Sequence, residues 1–474
     1  LFNAYFAAVA PFVGPKAHGI TYLCKNKPVP LVENTPPAIY APAPCNKARF
    51  ALDFVFGLSL RCGYELYDDW AAFMVAPPPR LNYSNYNYNA ECLFIHKKNT
   101  DYLHAPLVGR RDMAAFLRAP TPEVPFDPFL AIFQLLSRQE ETSGKFPIDA
   151  HGRIEGRHLF AVSLPLCDML AAHIGKRLSG IFPNWAPPAT HCSFQPTYDV
   201  DMAWKYKNKP LLLQAGRFLH DLATLNTARL IERAKVSLGF KKDPFFLFAH
   251  LAAQHDSLKN APGIAQPIFF VQVGDRGRFD KNTDFRNAAF RKMLRELGKK
   301  YEIGLHPSYA SFLDIKKTTD EKRRLEDILD KAVLRSRQHY LRLRLPESYE
   351  LLLEAGIRHD HSMGHADVLG FRAGTSRPFQ WYDARRDAPS ALWVHPFQAM
   401  DVTLKNYLNL NPKSASTELG KMIALTKQYG GTFSTIWHNS SFDPADWQGW
   451  EHLYWDIFQG FTDGTSSRHK QFPC

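Results

Sequence analysis

The chain has 474 residues, is 45% hydrophobic and 13% aromatic, and carries a formal net charge of +12. That length points to two domains, or to one large barrel with an appendage, and the composition excludes a disordered or low-complexity protein. Seven scattered cysteines without a C-x-x-C argue against a disulfide framework and against a cysteine zinc site, so a reducing, cytoplasmic setting is expected.

No run of about 18 apolar residues exists, so no membrane-spanning helix is expected. The chain opens with "LFNAYFAAVAPFV", apolar but short, without a basic leader or an initiator Met, so an earlier signal peptide stays open. The basic residues are dispersed. "KYKNK" at 205–209 and "KKTTDEKRR" at 316–324 read as a solvated loop and a helix start. No basic–aromatic ladder accompanies them, and nucleic acid is not expected as a partner.

In chain order, residues 1–50 are Pro-rich and yield no clear element. "FLAIFQLLSRQEE", 129–141, predicts an amphipathic helix with Asp127 as N-cap and Pro128 in its first turn. "IFPNWAPPATHCSF", 181–194, interrupts the pattern and predicts a boundary, giving an N-terminal α/β domain over 1–185 and a second domain over 190–474. Strands are then expected at 193–199, 267–273, 302–307, 338–343, 357–362, 392–397 and 432–439. Helices are expected at 319–333, from its apolar stripe, and at 346–356, between Pro346 and Gly356. Alternation of this kind over about 280 residues predicts an α/β fold, a seven-stranded TIM-like (β/α) barrel preceded by a smaller α/β domain.

Asp199 and Asp201 sit two residues apart in "FQPTYDVDMAW", and such a spacing on a strand puts both carboxylates on one face. Two like charges side by side are costly unless a cation or proton lies between them. A surface turn with two solvated acids is the competing reading. However, His306, His339, Asp360, His395 and His438 also fall on or at the ends of expected strands, and in a barrel such ends converge on one site. "HDHSMGH" offers His361 and His365 at i, i+4, but Ser362 and Gly364 favour a loop over a metal-binding helix.

The segments "PFDPFLAIFQLLSRQEE", "PTYDVDMAW", "EIGLHPSY", "RQHYLRLRLPESY", "GFRAGTSRPF", "HPFQAMD" and "WHNSSF", in this order and spacing, resemble the polysaccharide deacetylases with a NodB-type barrel. The likeness is nearer to a bacterial subgroup with an extra N-terminal domain. It covers roughly 125–474 well and the first 100 residues poorly.

The resemblance implies a hydrolase that removes acetyl groups from an acetylated carbohydrate with a divalent metal, zinc being the expected ion. Asp199 maps to the base and Asp201 to a ligand. His306 matches the first histidine of the family's second motif, but Ala310 stands where its second histidine belongs. His339 is the nearest replacement, giving the ligand set Asp201, His306 and His339, with a core or supporting histidine as the alternative for His339. Arg337 is expected to pair with Asp199 unless it is a surface arginine. His438 matches the proton donor, unless it is a buried, hydrogen-bonded histidine, and Asp401 either orients it or caps a helix. Arg372, Asp360, Tyr309 and Trp437 are expected at the substrate, although Arg372 could simply pin its loop and Asp360 could support the site from behind. The missing second histidine also leaves open a barrel that binds glycan without turnover. A basic protein for nucleic acid or an anionic surface is the remaining alternative.

Overall fold

The computed structural model describes residues 35–88, 90–98, 110–118, 124–143 and 146–462. It divides into two compact units, one of residues 1–134 with 169–189, the other of 135–168 with 190–474. Residues 135–168, placed before the boundary by the sequence reading, thus belong with the second unit.

The first unit contains a four-stranded parallel sheet of β1 (Ala38–Tyr40), β2 (Glu65–Tyr67), β3 (Arg80–Ser84) and β4 (Leu93–His96), in the order β2-β1-β3-β4. Helix Trp70–Val75 starts where the Asp69 side chain accepts from Ala72 N, and its Phe73 packs on Tyr40. Asp127 likewise accepts from the backbone N–H groups of Phe129 and Leu130 at the head of helix Pro128–Leu136, in keeping with the capping role read from "PFDP".

The second unit is built on one nine-stranded sheet. Its strands are β5 (Cys192–Val200), β6 (Ile268–Val271), β7 (Glu302–Leu305), β8 (Arg335–Ser336), β9 (His359–Asp360), β10 (Phe379–Asp383), β11 (Ala388–Val394), β12 (Ala399–Met400) and β13 (Gly431–His438). Their order is β10-β11-β9-β8-β7-β6-β5-β13-β12, parallel except for the β10–β11 hairpin. β11 and β12 lie seven strand steps apart, about 33 Å if the sheet were flat. Residues 395–398 alone connect them, a reach of about 18 Å at most. The sheet must therefore curl toward closure. It is an open, curled, nine-stranded sheet rather than the expected seven-stranded barrel.

Two further expectations are corrected. Residues 338–343 are not a strand: Tyr340 and Leu341 have φ of 59° and 55°, which ends the extended backbone and turns the chain just beyond β8. The β10–β11 hairpin was not anticipated. The helix expected over 319–333 runs Ile315–Leu329, capped by Asp314 and stopped by Asp330 in the left-handed region.

β5 sits among buried strands and alternates along its length. Tyr198 faces the outer layer, stacked on Phe269 with centroids 4.8 Å apart and bonded to the Tyr454 hydroxyl. Thr197 and Asp199 face inward, where both accept from Arg337. Among the described residues, no helix is long and apolar enough to cross a membrane.

Candidate metal centre

Asp201, just past the end of β5, His306, just past β7, and His339, in the turn after β8, offer ligand atoms that all lie within 4.8 Å of one another. Each histidine has its other ring nitrogen engaged. His306 Nδ1 lies 2.5 Å from the Arg337 carbonyl oxygen, and His339 Nδ1 lies 3.0 Å from Asp280 Oδ1. With Nδ1–H donating, Nε2 of each ring carries a lone pair toward Asp201, at 3.3 Å from Oδ1 for His306 and 3.8 Å for His339. Asp201 Oδ1 is buried and makes no hydrogen bond of good geometry. Two imidazole nitrogens and a carboxylate oxygen, the rings held from behind by a carbonyl and a carboxylate, suit a divalent cation such as zinc.

Burial opposes charge on Asp201, but the His306, His339 and His438 imidazoles outweigh it and hold the carboxyl well below the usual range. For His306 burial works against protonation, and the Asp199 and Asp201 carboxylates raise its pKa nonetheless.

Asp199 lies beside this group, its Oδ2 3.7 Å from His306 Nε2. Its other oxygen accepts from Arg337 Nη1 at 2.8 Å. Arg337 is fully buried, lies over the Phe270 ring at 4.3 Å, and donates through Nε to the His361 carbonyl. Gly304 makes room for Phe270, since a Cβ there would lie 2.5 Å from its ring. On the other side His438 presents Nε2 to Asp201 Oδ2 at 3.8 Å, while its Nδ1 is 2.9 Å from Asp401 Oδ1. Asp401 also accepts the His438 backbone N–H and is fully buried. Burial disfavours the imidazolium, yet Asp401, Asp201 and Asp199 raise the His438 pKa to about 10.

Tyr309 is half-buried at the rim, its hydroxyl 3.4 Å from His151 Nδ1. Three of the other expected residues are committed elsewhere. Arg372 is buried and bidentate on Glu141, with Nη1 donating to the Gly364 carbonyl, so it pins a loop. Asp360 is fully buried and accepts from Ser362 N and Oγ. Trp437 is fully buried against Tyr454, because it alternates with His438 along β13 and so points away from the inward face. His395 stacks on His361 and meets His359 Nδ1 at 3.0 Å. Residues 361–365 are a loop. Among the described residues, the group of Asp201, His306 and His339 alone meets the geometric condition for a metal.

Sequence reasoning missed Asp280. It is buried and accepts from Tyr309 N and Ala310 N, so it ties the turn holding Ala310 to His339. Nothing in "GRFD" announces it. His151 was also missed, because it lies outside the expected second domain. It packs on Tyr340 with centroids 4.6 Å apart, and Phe279 and Tyr309 complete this aromatic rim.

A family of unknown function (DUF7033) matches residues 37–170. No curated protein matches the chain. Among solved structures, the chain is similar to a proposed polysaccharide deacetylase from Mycobacterium smegmatis, with 17% identity and a TM-score of 0.37 over 60% of this chain and 97% of that one. It is also similar to a polysaccharide deacetylase from Bacillus cereus, with 10% identity and a TM-score of 0.27 over 60% and 96% of the two chains. Likeness at this level carries no functional argument, which falls to the geometry of the site.

Proposed function

We propose that the protein is a metal-dependent hydrolase that removes acetyl groups from an N- or O-acetylated sugar of a cell-surface polysaccharide or its precursor. One observation carries the proposal: two histidines and one carboxylate converge within 4.8 Å, flanked by a second carboxylate and a carboxylate-backed histidine. The sugar rests on the order of the sequence motifs, and a rim of His151, Phe279, Tyr309 and Tyr340 beside His339 offers apolar faces for a sugar ring.

Asp201, His306 and His339 would hold the cation. Bound there, a divalent metal supplies Lewis acidity toward a carbonyl oxygen and acidifies water. Asp199, fixed by Arg337, accepts the proton of the attacking water. His438, fixed by Asp401, whose carboxylate favours its imidazolium, gives its proton to the leaving nitrogen or oxygen as the bond to the acetyl carbon breaks. Water enters, and acetate and a free amine or hydroxyl leave. The other ring nitrogen of each histidine donates its N–H to a fixed acceptor, which holds the rings against rotation during turnover.

Acetate release from acetylated oligosaccharides, with zinc added to the parent chain, tests the reading. Release that disappears with a chelator and returns with metal is expected. No release from any N- or O-acetylated glycan, with metal demonstrably bound, would leave a protein that holds sugar without cleaving it.

A further inference from the structure

The connection between β5 and β6 carries three helices, of which the first two, Leu211–Ala223 and Thr227–Ser237, have inverted polarity. Their inner contacts are ionic. Asp221 is buried and pairs with Arg233, and Glu232 pairs with Lys205 and Lys241 while accepting from the Tyr206 hydroxyl. Val236 is buried, but most of the other large apolar side chains point to solvent. Leu225 at the hairpin turn is 80% exposed, and Leu238 and Phe240 beyond the second helix are 72% and 81% exposed. Phe218, Leu219 and Leu222, one helical face leading into that turn, are also exposed, as is Ile231. Large apolar side chains exposed together in one short segment mark a surface that meets something other than water.

The charge around them is one-sided. Residues 205–242 hold nine Lys and Arg against two Asp and Glu, more than half of the whole chain's excess of +12. Among the described residues, Lys207, Lys209, Arg217, Lys235 and Lys242 make no salt bridge. Lys209 lies 3.9 Å from the sulfur of Met202 with Arg217 and Arg276 as its cationic neighbours.

We infer that this hairpin is a membrane-surface element that seats Phe218, Leu222, Leu225, Leu238 and Phe240 at the headgroup boundary of an anionic bilayer, its unpaired cations engaging the lipid phosphates. Apolar side chains framed by Lys and Arg are the composition of interfacial helices, and the negative leaflet supplies the complementary charge. A nucleic acid would use the cations but leave the apolar side chains in water. A second copy of the chain would bring its own cations against these. The inference holds whether or not the metal centre turns over.

Sedimentation of the full chain with vesicles of phosphatidylcholine containing 30% phosphatidylglycerol tests it. Binding is expected to be at least about tenfold stronger than to phosphatidylcholine alone and to weaken in 0.5 M NaCl. Leu225→Ser with Phe240→Ser should lower it about tenfold or more while circular dichroism stays that of the parent, since neither side chain packs in the core. Lys235→Glu with Lys242→Glu, which leaves the apolar side chains intact, should lower it independently. No sedimentation with the anionic vesicles, equal binding to neutral ones, or binding unchanged by both variants would overturn the inference. So would a parent dimer that Leu225→Ser dissolves with no vesicle binding at all.

Discussion

Asp280 Oδ1 lies 3.0 Å from His339 Nδ1, and this contact fixes His339, which stands outside the motif around His306, with its Nε2 toward Asp201. The second histidine implied by the motif around His306 is replaced by Ala310, and Asp280 binds the backbone N–H of Ala310 as well. One carboxylate therefore bridges Ala310, where the resemblance implies a histidine, to the histidine proposed as ligand in its place. Removing a carboxylate that backs a ligating histidine typically costs about 10–100-fold in metal affinity. Asp280→Ala should bind zinc that much more weakly in a competition titration, and affinity equal to the parent's would mean that His339 needs no such support.

Asp199 and His438 flank the ligand group without belonging to it. Asp199→Asn keeps the shape and removes the proposed base, and His438→Ala removes the proposed acid. Each should retain its metal and lose about 10²–10⁴-fold in kcat, the usual cost of a positioned acid or base. Loss of metal from either variant would make that residue a ligand.

Arg372 and Glu141 form a buried pair with Arg138 alongside. Breaking a buried pair from one side costs about 3–5 kcal/mol when the remaining charge is left alone, and here Glu141 keeps Arg138, so the cost should lie at or below the low end of that range. Arg372→Ala should therefore lower the denaturant midpoint of the second unit, and an unchanged midpoint would refute the pinning role. A chain beginning at residue 190 lacks both Glu141 and Asp168, the buried partners of Arg372 and Arg377, and should share this weakness.

The same pair sets a pH dependence. Burial pushes the Glu141 carboxyl up, but Arg372 and Arg138 outweigh it and hold it well below the usual range. Its folded-state pKa thus lies below the unfolded value of about 4.3, so as pH falls the unfolded chain takes up the proton first. The contribution of Glu141 is complete above about pH 5 and is lost as pH falls below about 4. Thermal unfolding should show the parent losing more stability between pH 5 and pH 3 than Glu141→Gln does. Parallel curves would show that this carboxyl does not drive the acid limb.

Trp437 should not touch substrate. Trp437→Phe is expected to lower thermal stability through lost packing on Tyr454 while leaving KM unchanged. A KM raised severalfold with unchanged stability would return Trp437 to the pocket.

The parts of the fold legible in the sequence were those with long, regular signals. β5, β6, β7 and β13 announce themselves as apolar runs bounded by turns, and the period of two carried Asp199 to the inward face beside Arg337. β8, β9 and β12 have two residues each, too few for any period to register. Trp437 and His438, neighbours on β13, face opposite sides of the sheet, as the period of two requires. Asp280 and His151 were invisible because each reaches the rim or the ligand group from an irregular segment, where spacing says nothing of direction.

The metal content of the purified chain after dialysis against zinc tests the central claim most directly, compared across the parent and Asp201→Ala, His306→Ala and His339→Ala. One tightly held zinc per parent chain and its loss from each of the three folded variants is the predicted result. Full occupancy in His339→Ala, or a parent that holds no divalent metal, would contradict the account.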